Sequence, residues 1–211
     1  MESFDRVAEE ILAELACQDL LREEALSLSR SVIRASAQAI RAIHRGEFGK
    51  AEEMEAEARQ AVARLGEIAL ACPLFTATGY VSDAQKEYAE ACITAALVRE
   101  RPLPRPADLQ VPIAPFMNAL AEAASELRRS ILDALRQDRV DLCEAWLEKM
   151  QQIYDFLVTV DYPDALTGGL RRTTDALRRV LENTRADLTT ALRQSRLQEA
   201  LERVEGRLPP L

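Results

Sequence analysis

Two pairs of glutamates carry the chemistry that this sequence could perform. Glu87 and Glu90 lie three residues apart in "QKEYAEA", and Glu122 and Glu126 lie four apart in "ALAEAASEL". At 3.6 residues per helical turn, the members of each pair share one face. Arg129 continues the stripe of the second pair one turn further on. Small residues (Ala119, Ala121, Ala123, Ala124 and Ser125) surround that pair, so another backbone or a ligand can approach closely. Four carboxylates from two helices can hold one or two divalent cations. Oxygen-only ligation suits Mg²⁺ or Mn²⁺ better than zinc. Such an ion activates water, polarises a phosphoryl oxygen and offsets charge developing on a phosphodiester. An arginine beside it can hold a neighbouring phosphate. A di-iron centre normally takes Glu-x-x-His twice, and this chain has a single histidine, His44. Glutamate pairs at helical spacing are also common on solvated faces, so spacing alone leaves both readings open. The stretch after Glu90, "ACITAALV", is wholly small and apolar. A carboxylate at the edge of such burial must face water or meet a positive partner.

The elements that must position these side chains all read as helices. Apolar residues recur at helical spacing over about 2–18, 19–45, 48–71, 82–99, 113–137 and 139–158. A seventh segment starts near Asp164 or Leu166 and runs toward Arg207, with Gly168 and Gly169 leaving its start open. Gly46 is placed to end the second segment, and Ser82 to cap the fourth. Pro102, Pro104, Pro106 and Pro112 forbid a continuous helix through the linker at about 100–112. No alternating strand pattern is present. The expected architecture is therefore all-α, and a single domain over residues 1–211 with the linker inside it is preferred to two.

Composition narrows the function classes. The chain has 211 residues, 48% hydrophobic and 29% charged, with few aromatics and glycines, which favours helix almost everywhere. No apolar run reaches bilayer length, so no membrane role is expected. The acidic, amphipathic N-terminus lacks the features of a secretion signal. Four scattered cysteines without a C-x-x-C pair read as reduced, mostly buried residues of a cytoplasmic protein. A net charge of −8 argues against loose, whole-surface nucleic-acid binding, but not against a local basic lining.

Arg30, Arg34 and Arg41 recur at helix-compatible spacing. They read as a basic stripe contacting phosphates, as a solvated face balanced by Glu23 and Glu24, or as contacts between subunits. In "GLRRTTDALRRVLENTR" the arginines, Arg172 among them, alternate with Asp175 and Glu182. That is the patterning of an exposed helix laced by salt bridges, or of a subunit interface.

In four stretches the chain resembles the translin/Trax family, above all its prokaryotic single-subunit members. These are "LSLSRSVIRASAQAIRAIHRGEF", "QKEYAEA", "PFMNALAEAASEL" and "DYPDALTGGLRRTTDALRRVLENTRADLT", which span most of the chain in order. The resemblance implies a seven-helix, translin-like bundle that assembles into hollow, octamer-like homo-oligomeric shells binding single-stranded RNA or DNA. In Trax-like subunits an interior carboxylate cluster performs Mg²⁺-dependent endoribonuclease cleavage, whereas translin-like subunits bind with weak activity or none. The Trax pattern "QEYVEA" matches at Glu87 and Glu90, and "ADLTGEL" matches "AEAASEL" at Glu122 and Glu126. The basic residue after the second motif matches Arg129. The resemblance thus makes all four glutamates ligands of Mg²⁺ or Mn²⁺ and catalytic residues, with Arg129, Arg30, Arg34 and Arg41 facing RNA. Glutamate at 122 replaces the family's aspartate and shifts the carboxylate's reach by roughly 1–1.5 Å. Ala37 stands near the place of a family lysine. A non-catalytic RNA- or DNA-binding protein of translin type is the alternative.

Overall fold

The computed structural model describes residues 2–75 and 78–205. Among these, helix α1 runs over Glu2–His44, α2 over Phe48–Ala71, α3 over Gly79–Val98 and α4 over Pro106–Leu109. Helix α5 follows over Ile113–Leu135, α6 over Val140–Val158, α7 over Asp164–Thr167 and α8 over Leu170–Glu205. A single 3-10 turn, Pro73–Phe75, precedes α3. The described residues contain no strand, and none of their helices is long and apolar enough to cross a membrane. The "LPPL" end and the approach to Arg207 lie outside the described residues.

The all-α expectation holds, and the helix boundaries differ in four places. Segments 2–18 and 19–45 are one continuous helix, because neither glycine nor proline stands at Gln18–Asp19 to break it. Helix α3 begins at Gly79 behind Thr78, not at Ser82, and the Thr78 hydroxyl donates to the Phe75 carbonyl at 2.7 Å. Within the proline-rich linker, Pro106 opens the single turn α4, where Asp108 accepts the Arg105 backbone N–H at 3.0 Å. The last segment is split. Gly168 and Gly169 have φ of +59° and +81°, a left-handed backbone that ends α7 and lets α8 start in a new direction.

Helix α3 lies between α1 and α5. Helix α2 packs along α1, and α5 in turn packs along α6 and α8. The main core gathers Leu65, Tyr88, Ile93, Leu127, Ile131, Met150 and Leu177, all at most 1% exposed. Each such side chain contributes roughly 1.5–3 kcal/mol by leaving water. Ala89 on α3 and Ala119, Ala121, Ala123 and Ala124 on α5 are fully buried. With so little side chain between them, the two helix backbones come close. That approach brings the two glutamate pairs together.

Two apolar stripes remain outside this core. Phe4, Val7, Ile11, Leu12 and Leu15 are exposed along the first half of α1, and Leu197, Leu201 and Val204 along the last turns of α8.

Candidate metal centre

Glu87, Glu90 and Glu122 each present a carboxylate oxygen, and these oxygens all lie within 4.8 Å of one another. Three like charges this close in a partly buried site repel strongly, so the surroundings must compensate. Glu90 is the deepest, at 8% exposure. Burial first, and then the charges of Glu122, Glu87 and Glu126, push its pKa up to about 8, with Lys86 opposing in part. Near neutral pH Glu90 therefore carries a proton.

Of the two outcomes open to carboxylates at this edge, Glu122 and Glu87 meet a positive partner, Lys86. Its ammonium lies 2.8 Å and 3.0 Å from the two oxygens of Glu122 and 3.5 Å from Glu87 Oε1. Burial pulls the Lys86 pKa down. The hydrogen bond and charge of Glu122, followed by Glu87, outweigh that and hold it above its ordinary value. Sequence reading missed this residue, because a lysine next to a glutamate on a helix points about 100° away from it. The partner that orients it, Glu122, is 36 positions distant.

Glu126 is held separately. His44 Nε2 lies 2.7 Å from Glu126 Oε2, and the imidazole is 2% exposed. A carboxylate only accepts, so Nε2 carries the proton and donates. Gly46 sets this contact. At φ +74° it donates to the Ile43 carbonyl at 2.9 Å, while the Glu47 N–H reaches the Ala42 carbonyl at 2.9 Å. That double closure ends α1 cleanly with His44 in its last turn. The signal was present in "AIHRGE", a histidine two residues before a glycine cap, but its target lies 82 residues away.

Removing the imidazole strands Glu126 and leaves a cavity. His44→Ala should therefore cost about 2–3 kcal/mol of stability in urea titration. His44→Gln, which can still donate to Glu126, should recover part of it. Equal stability of wild type and His44→Ala would show that the contact carries no weight.

Arg129 is exposed, and so are Arg30, Arg34 and Arg41 on α1. None of the four has a side-chain partner among the described residues. The expected balancing by Glu23 and Glu24 does not occur. Glu23 pairs with Arg22 at 2.6 Å and Glu24 with Arg64 of α2 at 2.7 Å. In the α8 series, Arg178 pairs with Glu182 at 3.0 Å as its spacing predicts.

The donor set fits a hard divalent cation. Octahedral Mg²⁺ takes oxygens at 2.0–2.1 Å, which places opposite ligands roughly 4.2 Å apart. The three oxygens lie within 4.8 Å of one another, so they would draw inward to share one ion. The trapped proton on Glu90 is what a cation would displace. Glu87, Glu90 and Glu122 would hold the ion, with Glu126 alongside.

No protein-family model matches the chain. It is 32% identical over 193 residues to the protein MJ0175 of Methanocaldococcus jannaschii, covering 90% of this chain and 85% of that one. Among solved structures, the AfC3PO–duplex RNA complex superposes with a TM-score of 0.75 at 32% identity, over 90% of this chain and 97% of that one. AfC3PO crystallised by itself superposes with a TM-score of 0.81 at 29% identity, over 90% and 98%. Apo-NeC3PO shares the fold at 16% identity, with a TM-score of 0.79 over 87% and 96%.

Proposed function

Because the chain belongs to the translin/Trax family, we propose that it is an Mg²⁺- or Mn²⁺-dependent endoribonuclease acting on single-stranded RNA inside a homo-oligomeric shell. The observation that carries this reading is the convergence of Glu87, Glu90 and Glu122 within 4.8 Å. A bare carboxylate cluster of this kind costs stability, and a divalent ion recovers that cost.

The bound ion would supply Lewis acidity toward a phosphoryl oxygen and offset the charge that develops there. The chain's own residues do the rest. Glu87, Glu90 and Glu122 fix the cation. Glu126, with one oxygen held by His44, would take a proton from the attacking water. Arg129 and the α1 stripe of Arg30, Arg34 and Arg41, all without side-chain partners among the described residues, offer local phosphate contacts on a chain of net charge −8. The exposed apolar stripes of α1 and α8 support assembly into a shell, since rows of large side chains of that length rarely face water in a monomer. RNA as the ligand is in keeping with AfC3PO, which was solved with duplex RNA.

The alternative, a translin-type protein that binds RNA without cutting it, draws support from Lys86. Its ammonium already neutralises Glu122, the position where the family's aspartate is replaced by the longer glutamate. Labelled single-stranded and duplex RNA, incubated with the protein and Mg²⁺ or Mn²⁺, separates the two readings. The expected result is metal-dependent cleavage of the single strand that falls at least about 10²-fold in Glu87→Ala and Glu122→Ala. Cleavage unchanged by both substitutions rejects the site. RNA retained on a filter without cleavage under any divalent metal favours the binding protein.

A further inference from the structure

A polar cleft of about 410 Å³ adjoins the carboxylates, between the start of α5 and the first turns of α8. Lys86 and Glu122 line it from α3 and α5, and Arg172 and Thr173 from α8. Its floor is rigid. Asn118, 5% exposed, donates through Nδ2 to the Ala114 and Thr167 carbonyls at 3.0 Å and 2.9 Å. Its Oδ1 accepts the Thr173 hydroxyl at 2.6 Å. The first turn of α8 is thereby tied to α5, and Arg172 is carried to the rim of the same cleft that Lys86 enters.

The two cations of this cleft are in different states. Lys86 is fully engaged with Glu122 and Glu87. The Arg172 guanidinium has no partner among the described residues, although Asp175 stands three positions on, a spacing at which helix ion pairs can form. A divalent cation on Glu87 and Glu122 would take the anions that Lys86 now holds and repel its ammonium. The four-carbon stem lets that ammonium swing away, and the cleft toward Arg172 is the adjoining polar space.

We propose that this cleft is a phosphate subsite for RNA, built from Lys86 and Arg172, and that Lys86 exchanges Glu122 for an RNA phosphate when the metal enters. The proposal rests on the metal-nuclease reading above and adds two residues to it. It makes metal and RNA bind cooperatively, because each relieves a cost imposed by the other, and the coupling is reciprocal. It also assigns Arg172 a role outside the salt-bridge lacing that its spacing suggested.

The test combines Mn²⁺ titration, followed by electron paramagnetic resonance, with fluorescence anisotropy of a 2′-O-methyl oligoribonucleotide over a range of salt. Wild type should bind the oligonucleotide about tenfold more tightly with saturating Mn²⁺ than in EDTA. Lys86→Gln should bind Mn²⁺ about tenfold more tightly than wild type and lose that coupling. Arg172→Gln should leave Mn²⁺ affinity unchanged and weaken oligonucleotide binding severalfold, with a salt slope shallower by about 0.7. Arg136→Gln, at the far end of α5, is the charge-matched control and should change neither. Lys86→Gln binding Mn²⁺ no more tightly than wild type, or Arg172→Gln keeping the wild-type salt slope, overturns the proposal. Should wild type bind no Mn²⁺ at millimolar concentration, the metal reading falls and so does the partner exchange. The Arg172→Gln slope in metal-free buffer then decides whether the phosphate subsite stands.

Discussion

Glu90→Gln should abolish RNA cleavage while making the metal-free protein more stable at pH 8. The two effects have one cause. Glu90 is buried among three other carboxylates, and its pKa is raised from 4.5 to about 8. Below pH 4.5 the side chain is protonated whether the chain is folded or not, and the neutral form's advantage to the fold is fully present. Between pH 4.5 and 8 the folded protein keeps a proton that the unfolded chain releases, so stability declines as pH rises; above about 8 that advantage is gone. At about 1.4 kcal/mol per unit, the shift sets an upper limit near 5 kcal/mol. Relaxation and water penetration around the buried charge lower the expected gain for glutamine to about 2 kcal/mol. Glutamine keeps the shape and never ionises, so it removes this penalty together with the deepest anionic ligand. A loss of several kcal/mol of metal-assisted stabilisation corresponds to about 10³-fold in rate. Urea denaturation in EDTA at pH 5.5 and pH 8, beside a cleavage assay in Mn²⁺, reads both effects. A variant that still cleaves, or that is no more stable than wild type at pH 8, contradicts the assignment of Glu90.

The second large effect is on metal affinity as a function of pH. Binding requires Glu90 to give up its proton, so metal and proton compete for one site. With a pKa of about 8, apparent Mn²⁺ affinity should approach a tenfold loss per pH unit well below that value, and fall about 50-fold between pH 8 and pH 6. Cleavage at subsaturating Mn²⁺ should rise with unit slope and level off near pH 8. At higher Mn²⁺ the rising limb should move to lower pH, which distinguishes competition from a titrating RNA-binding group. In Glu90→Gln the remaining Mn²⁺ affinity should lose this steep dependence. Equal dissociation constants at pH 6 and pH 8 for wild type would mean that no trapped proton guards the site.

How legible these features were in the sequence depended on the range of the interaction. Helices ended where glycine or proline punctuated them, as at Gly46 and through the linker from Pro102 to Pro112. Where punctuation was missing, as at Gln18–Asp19, a boundary drawn from shifting apolar periodicity was wrong and the helix ran on. The single turns α4 and α7 were too short to show a period at all. At the site, local spacing put Glu87 beside Glu90 and Glu122 beside Glu126. Nothing local showed that Glu126 would be claimed by His44, that Lys86 would sit on Glu122, or that Arg172 would stand unpaired while Arg178 found Glu182.

By itself the sequence determined an all-α chain, the shared face within each glutamate pair, and the choice between water and a positive partner where Glu90 meets the apolar run of α3. These follow from helix geometry and the cost of burying charge, which act over a few residues. Only the tertiary structure decided that the alanine faces of α3 and α5 would meet, bringing three carboxylates within 4.8 Å and setting Lys86 against Glu122. Such contacts are set by how whole helices pack, and residues 36 or 82 positions apart leave no periodic mark on one another.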